Sequence, residues 1–373
     1  MSHPELVYQI ALDQVSGIGP ILARKLISHF GDCSKIFQAK EEELQAVEGL
    51  GPSIIKNLLE FSQFRVVENE VRQLEKNGVQ PCFIQDSCYP YRLRHIPDAP
   101  ILLFGKGQLE PRPQKTIAIV GTRRMTPYGA SFIEELVRNL VHHDPLVVSG
   151  LAFGVDTQVH KCCMKHGIKT VGVMAHGHGH FYPVENKGMS REMLHNKGAL
   201  LTECLFDQKA ERENFPKRNR IVAGMVDAVL VVESAVKGGS MITARLANEY
   251  SRDVLAVPGR VNDYYSSGCN LLIYESSAHL CRSINDVESI LNWTSKKPVG
   301  QTQLFEKPSP SELPLCKVLA DGNPRSIDQI ALQTNLSMPV ISTHLLSLEF
   351  KGIIASLPGK HYQLLANRYD LEI

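Results

Sequence analysis

The sequence predicts an α/β protein built on a Rossmann-like, doubly wound parallel sheet, with a helical segment of helix-hairpin-helix (SAM-like) type before it and a winged helix after it. Three observations carry this. Short runs of Val, Ile and Leu alternate with helical patterns through the middle of the chain, the pattern of parallel strands buried on both faces. Two Gly-x-Gly turns, each opening an apolar helix, recur in the first 66 residues. The last residues read as helices followed by a strand, a tight turn and a strand.

In chain order, Val15-Ser16-Gly17-Ile18-Gly19-Pro20 leads into an apolar helix over Ile21–Phe30, and Val47-Glu48-Gly49-Leu50-Gly51-Pro52 into one over Ile54–Phe61. Such hairpins bring backbone N–H groups close to a phosphate; a purely structural pair of turns is the alternative. Six strands are expected next: Ile117–Val120, Leu146–Val148, Thr170–Met174, Ala199–Thr202, Ala228–Val232 and Val254–Val257. Helices are expected over Tyr128–Val141, Val155–His166, Asn219–Val226 and Ser240–Arg252. Thr294–Ser311, with three prolines and no periodicity, reads as a linker. Helices over Leu315–Leu319, Ser326–Thr334 and Pro339–Lys351 precede strands at Ile353–Leu357 and Tyr362–Leu365, joined by Pro358-Gly359-Lys360. The expected domains are 1–66 helical, 67–293 Rossmann-like, 294–311 linker and 312–373 winged helix.

Composition narrows the function. In 373 residues the 40 Lys/Arg and 39 Asp/Glu leave a net charge of +1, which excludes a strongly basic nucleic-acid protein but not a local basic patch. By segment, 1–66 carries −2, 312–373 carries −1 and 67–311 carries +4, so an anionic ligand belongs to the middle. No apolar run approaches membrane-spanning length. MSHPELVYQI has no basic stretch followed by an apolar one. Nine cysteines without CxxC suggest reduced thiols in the cytoplasm, with Cys162-Cys163 in the core.

Ligands of open parallel sheets bind beyond the carboxyl ends of the strands, and those ends are rich in phosphate-suited groups. The first is followed by Gly121-Thr122-Arg123-Arg124, the second by Gly150 and Gly154, and the fifth by Lys237-Gly238-Gly239-Ser240 at a helix start. Residues 209–220 hold five basic side chains and two acidic ones, and Arg123, Arg218 and Arg220 offer forked donors to phosphate oxygens. Several such groups on one rim point to a nucleotide or a nucleic-acid backbone. The first loop lacks G-x-G-x-x-G and no acid ends the second strand, which argues against an NAD enzyme. His176, His178 and His180 admit a metal reading, but alternate residues of one short loop rarely converge on an ion, and a solvent-facing loop is favoured. No nucleophile with a matched base stands out, so neither catalysis nor a cofactor or metal is expected.

In this order, the pieces IAIVGTRRMTPYG, VSGLAFGVDTQVH, YPVEN, LLTE, FPKRNRIVAG, VLVVESAVKGGSMITARLA, VLAVPG and GCNLLI closely resemble the DNA processing protein A (DprA/Smf) family. The resemblance spans about residues 115–280, and the flanking segments fit it too. It implies a non-catalytic protein that binds single-stranded DNA, forms a homodimer through the Rossmann domain and loads RecA during natural transformation. Arg123 matches the arginine of the first-strand motif, Lys217, Arg218 and Arg220 fall in the FPxRNR element, and Gly238 to Ser240 match the Gly-Ser loop. The DNA-binding set expected on this basis is Gly121, Arg123, Arg124, Gly150, Gly154, Lys187, Phe215, Lys217, Arg218, Asn219, Arg220, Gly238, Gly239 and Ser240. Two departures stand out. The aspartate usual in the third-strand loop is missing from Ala175-His176-Gly177-His178-Gly179, and the basic residue frequent after Tyr-Pro is Val184, with Lys187 nearby as a substitute. The alternatives are a nucleotide-metabolising enzyme of phosphoribohydrolase type, disfavoured because Ser240-Met241-Ile242-Thr243-Ala244 lacks a glutamate, and a regulator reading duplex DNA with the winged helix. Its third helix holds one Lys and one Glu, which suits a protein contact or an accessory role better than a major groove.

Overall fold

The computed structural model describes residues 3–293, 308–357 and 360–365. They fall into two compact units, Met1–Lys297 and Pro298–Ile373. Residues 294–307 of the expected linker, and Pro358 and Gly359 of the expected turn, lie outside the described residues.

One sheet organises the first unit. Its strands are β1 (Gln80–Phe83), β2 (Leu102–Gly107), β3 (Thr116–Val120), β4 (Leu146–Ser149), β5 (Thr170–Val173), β6 (Ala199–Thr202), β7 (Ala228–Val231), β8 (Asp253–Ala256) and β9 (His279–Leu280). Their order is β1-β2-β6-β5-β4-β3-β7-β8-β9. From β6 through β9 every neighbour is parallel; β1 and β2 add an antiparallel edge. The six strands read from sequence are β3 to β8. The others escaped because β1 contains Pro81, β2 carries two glycines and β9 has two exposed residues.

Alternation along the strands feeds two layers. Ile117 and Ile119 of β3 face helices Pro127–Leu140, Val155–Lys165 and Ile284–Leu291, closed off by Trp293. Ala118 and Val120 face the other side, where helices Asn214–Gly224 and Gly239–Glu249 bury Ile221 and Ala244. That second core continues without a break into the N-terminal helices through Leu26, Ile55 and Val71. There Gly17 (φ 89°) and Gly49 (φ 93°) take the left-handed conformation their turns need, and Gly19 and Gly51 each precede a helix that begins with proline. A Cβ on Gly17 would lie 3.1 Å from Ile54, so the first hairpin sits against the helix of the second.

Two expectations are corrected. Cys82 and Cys88 form a disulfide across the turn after β1, with Cα atoms 6.0 Å apart, inside the span of a bridge; the seven free cysteines, Cys162 and Cys163 among them, are buried. The helix expected from Asn219 begins at Asn214, because Pro216 falls in its first turn, where no intrahelical N–H is lost. Among the described residues no helix is long and apolar enough to cross a membrane.

The second unit is a winged helix. Helices Leu313–Val318, Ile327–Thr334 and Met338–Phe350 pack Leu315, Ile330, Ile341, Leu345 and Leu348 into their own core. A three-stranded antiparallel sheet closes it: Arg325–Ser326, His361–Leu364 and Ile354–Leu357, in that spatial order. Ser326 and Gln329 form a capping box at the middle helix, with the Gln329 N–H donating to Ser326 Oγ at 3.3 Å and the Ser326 N–H to Gln329 Oε1 at 2.9 Å.

Candidate nucleic-acid interface

Strands β4 and β7 flank β3 on opposite sides, so the chain reverses its direction across the sheet there. Such switch points open a crevice at the carboxyl ends of the strands. A cavity of about 460 Å³ lies there, lined by the loops after β3, β4 and β7, the face of helix Asn214–Gly224 and the Tyr264-Tyr265 loop.

Glycines let these loops interlock. A Cβ on Gly121 would meet Val155 at 2.6 Å, and one on Gly154 (φ 76°) would meet the Thr122 carbonyl at 2.3 Å. The Val155 N–H donates to that same carbonyl at 3.1 Å, which joins the first loop to the second. Glu233, buried at the end of β7, accepts from the Thr126 N–H at 2.9 Å and from the Thr126 hydroxyl. It thereby anchors the residue that precedes helix Pro127–Leu140. Asn186 of the YPVEN segment donates from Nδ2 to the Leu151 carbonyl at 2.8 Å and so ties the loop after β5 to the loop after β4.

Helix Asn214–Gly224 turns one face to the cavity: Phe215, Arg218, Asn219 and Val222, the spacing of a single helix face. Arg218 is only 6% exposed. Its Nη1 donates to the Gly150 and Val173 carbonyls, and its Nε to Asn219 Oδ1 at 3.2 Å. Burial pushes the guanidinium's pKa down, Asp156 beside it pushes it up, and Arg123 pushes it down again. Burial likewise raises the pKa of Asp156, against the pull of Arg218. At the mouth, exposed Arg123 lies over the Phe215 ring, 5.2 Å from its centroid, and Phe215 meets Tyr182 edge-on at 5.7 Å. Tyr182 is 46% exposed and Phe153, on the adjoining cleft, is 40% exposed. A cation beside exposed aromatic faces suits a phosphate chain that carries bases.

Of the residues picked out in the sequence, the cavity brings together Gly121, Arg123, Arg124, Gly150, Phe215, Arg218, Asn219, Gly238, Gly239 and Ser240. Gly154 shapes the neighbouring loop, while Lys187 and Lys217 are exposed away from the lining. Arg220 is not brought there either. Its Nη1 donates to the Asp98 carbonyl at 2.8 Å and its Nη2 pairs with Glu203. Residues two apart on a helix point to opposite sides, so Arg218 and Arg220 do not share a rim. Lys237, Asp156 and the Tyr264-Tyr265 pair line the cavity but were absent from the selected set. The tyrosines follow β8, another carboxyl end, which is the signal that would have found them.

The histidine loop faces solvent only in part: His176 is buried, His178 and His180 are half-buried, and Gly179 is exposed. His176 is 1% exposed; its Nδ1 faces the Gly177 carbonyl at 2.9 Å, and its Nε2 accepts from the Tyr182 N–H at 3.2 Å. The His178 Nε2 faces the Phe104 carbonyl at 3.0 Å. Burial lowers the pKa of both imidazoles, which hold the loop together through the backbone. Among the described residues the one group of Cys, His and acidic side chains close enough to share a metal is Cys82, Asp86 and Cys88, and its two sulfurs are bonded to each other.

Comparisons with known proteins agree with this architecture. Residues 80–292 match the model of DNA recombination-mediator protein A, 302–360 that of the DprA winged helix domain, and 10–63 that of a SAM-like helix-hairpin-helix tandem. Protein Smf of Synechocystis is 32% identical over 97% of this chain and 100% of its own length. The DNA processing protein DprA of Streptococcus pneumoniae is 40% identical over 55% of this chain and 71% of its own. The X-ray structure of the S. pneumoniae protein superposes with a TM-score of 0.64 at 30% identity, covering 76% of this chain and 97% of that one. DNA processing protein A from Helicobacter pylori, whose structure was described for its single-stranded DNA binding mode, gives 0.51 at 28% identity over 57% and 96%. With the family's domains found in order along one chain, the protein belongs to the DNA recombination-mediator protein A (DprA/Smf) family.

Proposed function

We propose that the protein binds single-stranded DNA across the crevice at β3 and β7 and hands it to a RecA-type recombinase during natural transformation. It acts without turnover chemistry, as a cytoplasmic homodimer. The observation that carries the reading is the stack of Arg123 on Phe215 above the recessed Arg218. The two arginines meet phosphates, and the aromatic faces of Phe215, Tyr182 and Phe153 meet unpaired bases, which duplex DNA keeps stacked away. The single-stranded DNA binding described for the H. pylori relative supports it. A non-catalytic role suits the lining, whose carboxylate, Asp156, is buried beside Arg218.

On this reading residues 67–293 are the DNA-binding domain, with 1–66 and 312–373 as accessory domains joined in part by the 294–311 linker. Within the motif set, Arg123, Arg124 and Arg218 contact the strand, Gly121, Gly150, Gly154 and Gly238 shape the loops, and Lys187 and Lys217 extend the basic surface. A second protomer lengthens the track and raises local strand concentration without new kinds of contact. The test is RecA filament nucleation on single strands coated with single-strand binding protein, with and without this chain. Acceleration that disappears in Arg123→Ala is expected. Tight DNA binding without acceleration would reduce the role to passive strand binding.

A further inference from the structure

The cavity has two tiers. Arg123, Arg124 and Lys237 stand exposed at its mouth, whereas Arg218 and Ser240, 6% and 7% exposed, lie at its floor. The floor holds donors that the fold itself does not use. Arg218 Nε and Nη1 are engaged with Asn219, Gly150 and Val173, but its Nη2 donates to none of the described residues. The 11-residue helix Gly239–Glu249 begins at the same wall, with Gly238 as its N-cap and no side-chain cap. Gly239 and Ser240 are its first residues, whose N–H groups have no carbonyl one turn back to bond. The Ser240 hydroxyl turns inward to Ser234 Oγ at 2.8 Å and leaves the backbone donors uncovered.

These are three donors from two walls, with a buried guanidinium and a helix dipole adding positive potential. A phosphate inside a strand offers two free oxygens and one charge, and its two ester links must both leave the pocket. A phosphate monoester offers three acceptor oxygens, up to two charges and one link. The volume of about 460 Å³ falls in the range of small-molecule sites. We propose that this floor selects a phosphate monoester, carried by the phosphorylated end of a single strand or by a free nucleotide, over the diester phosphates within a strand. The strand-end form rests on the single-strand reading above: the cations at the mouth hold the chain, and the floor takes its end.

The experiment compares short oligothymidines with a 5′-phosphate, a 3′-phosphate or hydroxyls at both ends, using the full chain, and adds thymidine 5′-monophosphate or thymidine as competitor. A phosphorylated end should bind about tenfold tighter, the scale of a charged hydrogen bond. The monophosphate should displace it and thymidine should not. Gly239→Pro tests the helix wall. Proline is pre-organised for the first helical position and lacks the N–H. No atom lies within 4 Å of a Cβ at 239, and Gly238, at φ −74° and ψ 152°, already has the backbone that precedes proline. This variant should keep its fold and lose most of the tenfold preference, read as the ratio of its own affinities for the phosphorylated and the hydroxyl-ended strand. Arg218→Gln should lose the preference as well. A preference on strands without displacement by free nucleotide assigns the floor to strand ends; the reverse assigns it to nucleotides. Equal affinity for all three strands, with no displacement by the monophosphate, overturns the inference and leaves single-strand binding intact. Monophosphate binding in a chain that holds no oligonucleotide overturns the single-strand reading and leaves the inference standing.

Discussion

The guanidinium of Arg218 lies flat against Gly150: a Cβ at position 150 would come within 2.5 Å of Nη1, the nitrogen that donates to the Gly150 carbonyl. A glycine is thus required for the arginine's sake and not for its backbone, since Gly150 does not take a positive φ. In Gly150→Ala the end of the arginine side chain must swing away and give up its carbonyl partners. A flexible side chain absorbs much of the strain, so the expected loss of stability is about 1 kcal/mol, near one hydrogen bond. Affinity for single-stranded DNA should fall about tenfold. Thermal unfolding beside an oligonucleotide titration checks both, and unchanged affinity would remove Arg218 from the DNA site.

Arg123 offers the complementary case. It is exposed and its ring partner is Phe215, so its removal leaves no buried group unpaired. Arg123→Ala should fold as the parent does and bind single strands about 1–3 kcal/mol more weakly. The slope of log K against log salt should become shallower by about 0.7 for one lost phosphate contact. Weaker binding with an unchanged slope would assign Arg123 to the bases and not to the backbone.

The contrast between Arg218 and Arg220 also marks what the sequence could tell. The parallel strands were legible because β3 to β8 are buried along almost their whole length, and burial on both faces leaves an unbroken apolar run. The rim was legible because strand ends and glycines declare themselves by position. Which arginine of Lys217-Arg218-Asn219-Arg220 enters the cavity depends on where the helix begins, and the expected start at Asn219 lies five residues after the observed one at Asn214. Placed from Asn214, the turn of about 100° per residue puts Phe215, Arg218, Asn219 and Val222 on one side and Arg220 on the other. The Glu203 partner of Arg220 and the Cys82–Cys88 pairing depend on packing distances that periodicity does not encode.

Arg220 should therefore behave as a structural residue. It pairs with Glu203, whose carboxyl pKa is raised by burial and held back by this arginine. Arg220→Gln leaves that half-buried carboxylate without its cation, which costs about 2 kcal/mol. The sign with pH follows. A buried acid whose folded pKa lies above its unfolded value destabilises the fold above the folded pKa. The deficit should be full above the raised pKa and shrink as pH falls through it toward the ordinary carboxylate value. Denaturant unfolding at several pH values measures this, and the salt slope of DNA binding in the folded variant should match the parent's. A shallower slope would return Arg220 to the strand.

The third helix of the winged unit, Met338–Phe350, exposes Met338, Val340, Leu346 and Phe350 and ends in Glu349 among its charges. Such a face lacks the Arg, Lys, Asn or Gln that reads base edges. A chain ending at Lys297, the limit of the first compact unit, should hold single strands within about twofold of the full chain, since an exposed apolar face adds little charge to the counterion balance. A loss beyond tenfold in the same titration would place part of the strand on the winged helix.

The winged unit carries its own pH sensitivity through Glu312 and Lys351. The Glu312 carboxylate, 3% exposed, accepts from Lys351 Nζ at 2.7 Å and from the Ser309 N–H at 2.6 Å. Burial alone would raise its pKa; the bonds from Lys351, Ser347 and Ser309 outweigh burial and hold it down at about 2, against an ordinary 4.5. A carboxyl depressed in the folded state stabilises above its unfolded pKa and loses that contribution as pH falls through the folded one. The span from 4.5 to about 2 corresponds to about 3 kcal/mol at neutral pH. Amides of helix Met338–Phe350 should therefore exchange hydrogen with constant protection, after correction for intrinsic rates, from neutral pH down to about 5, and lose protection steadily below the ordinary carboxylate value. In Lys351→Met the carboxylate keeps its burial and loses its cation, so protection should already be weak at neutral pH and should rise, not fall, as acid protonates the carboxylate. Protection that falls in parallel in both chains would assign the acid sensitivity to another carboxyl group.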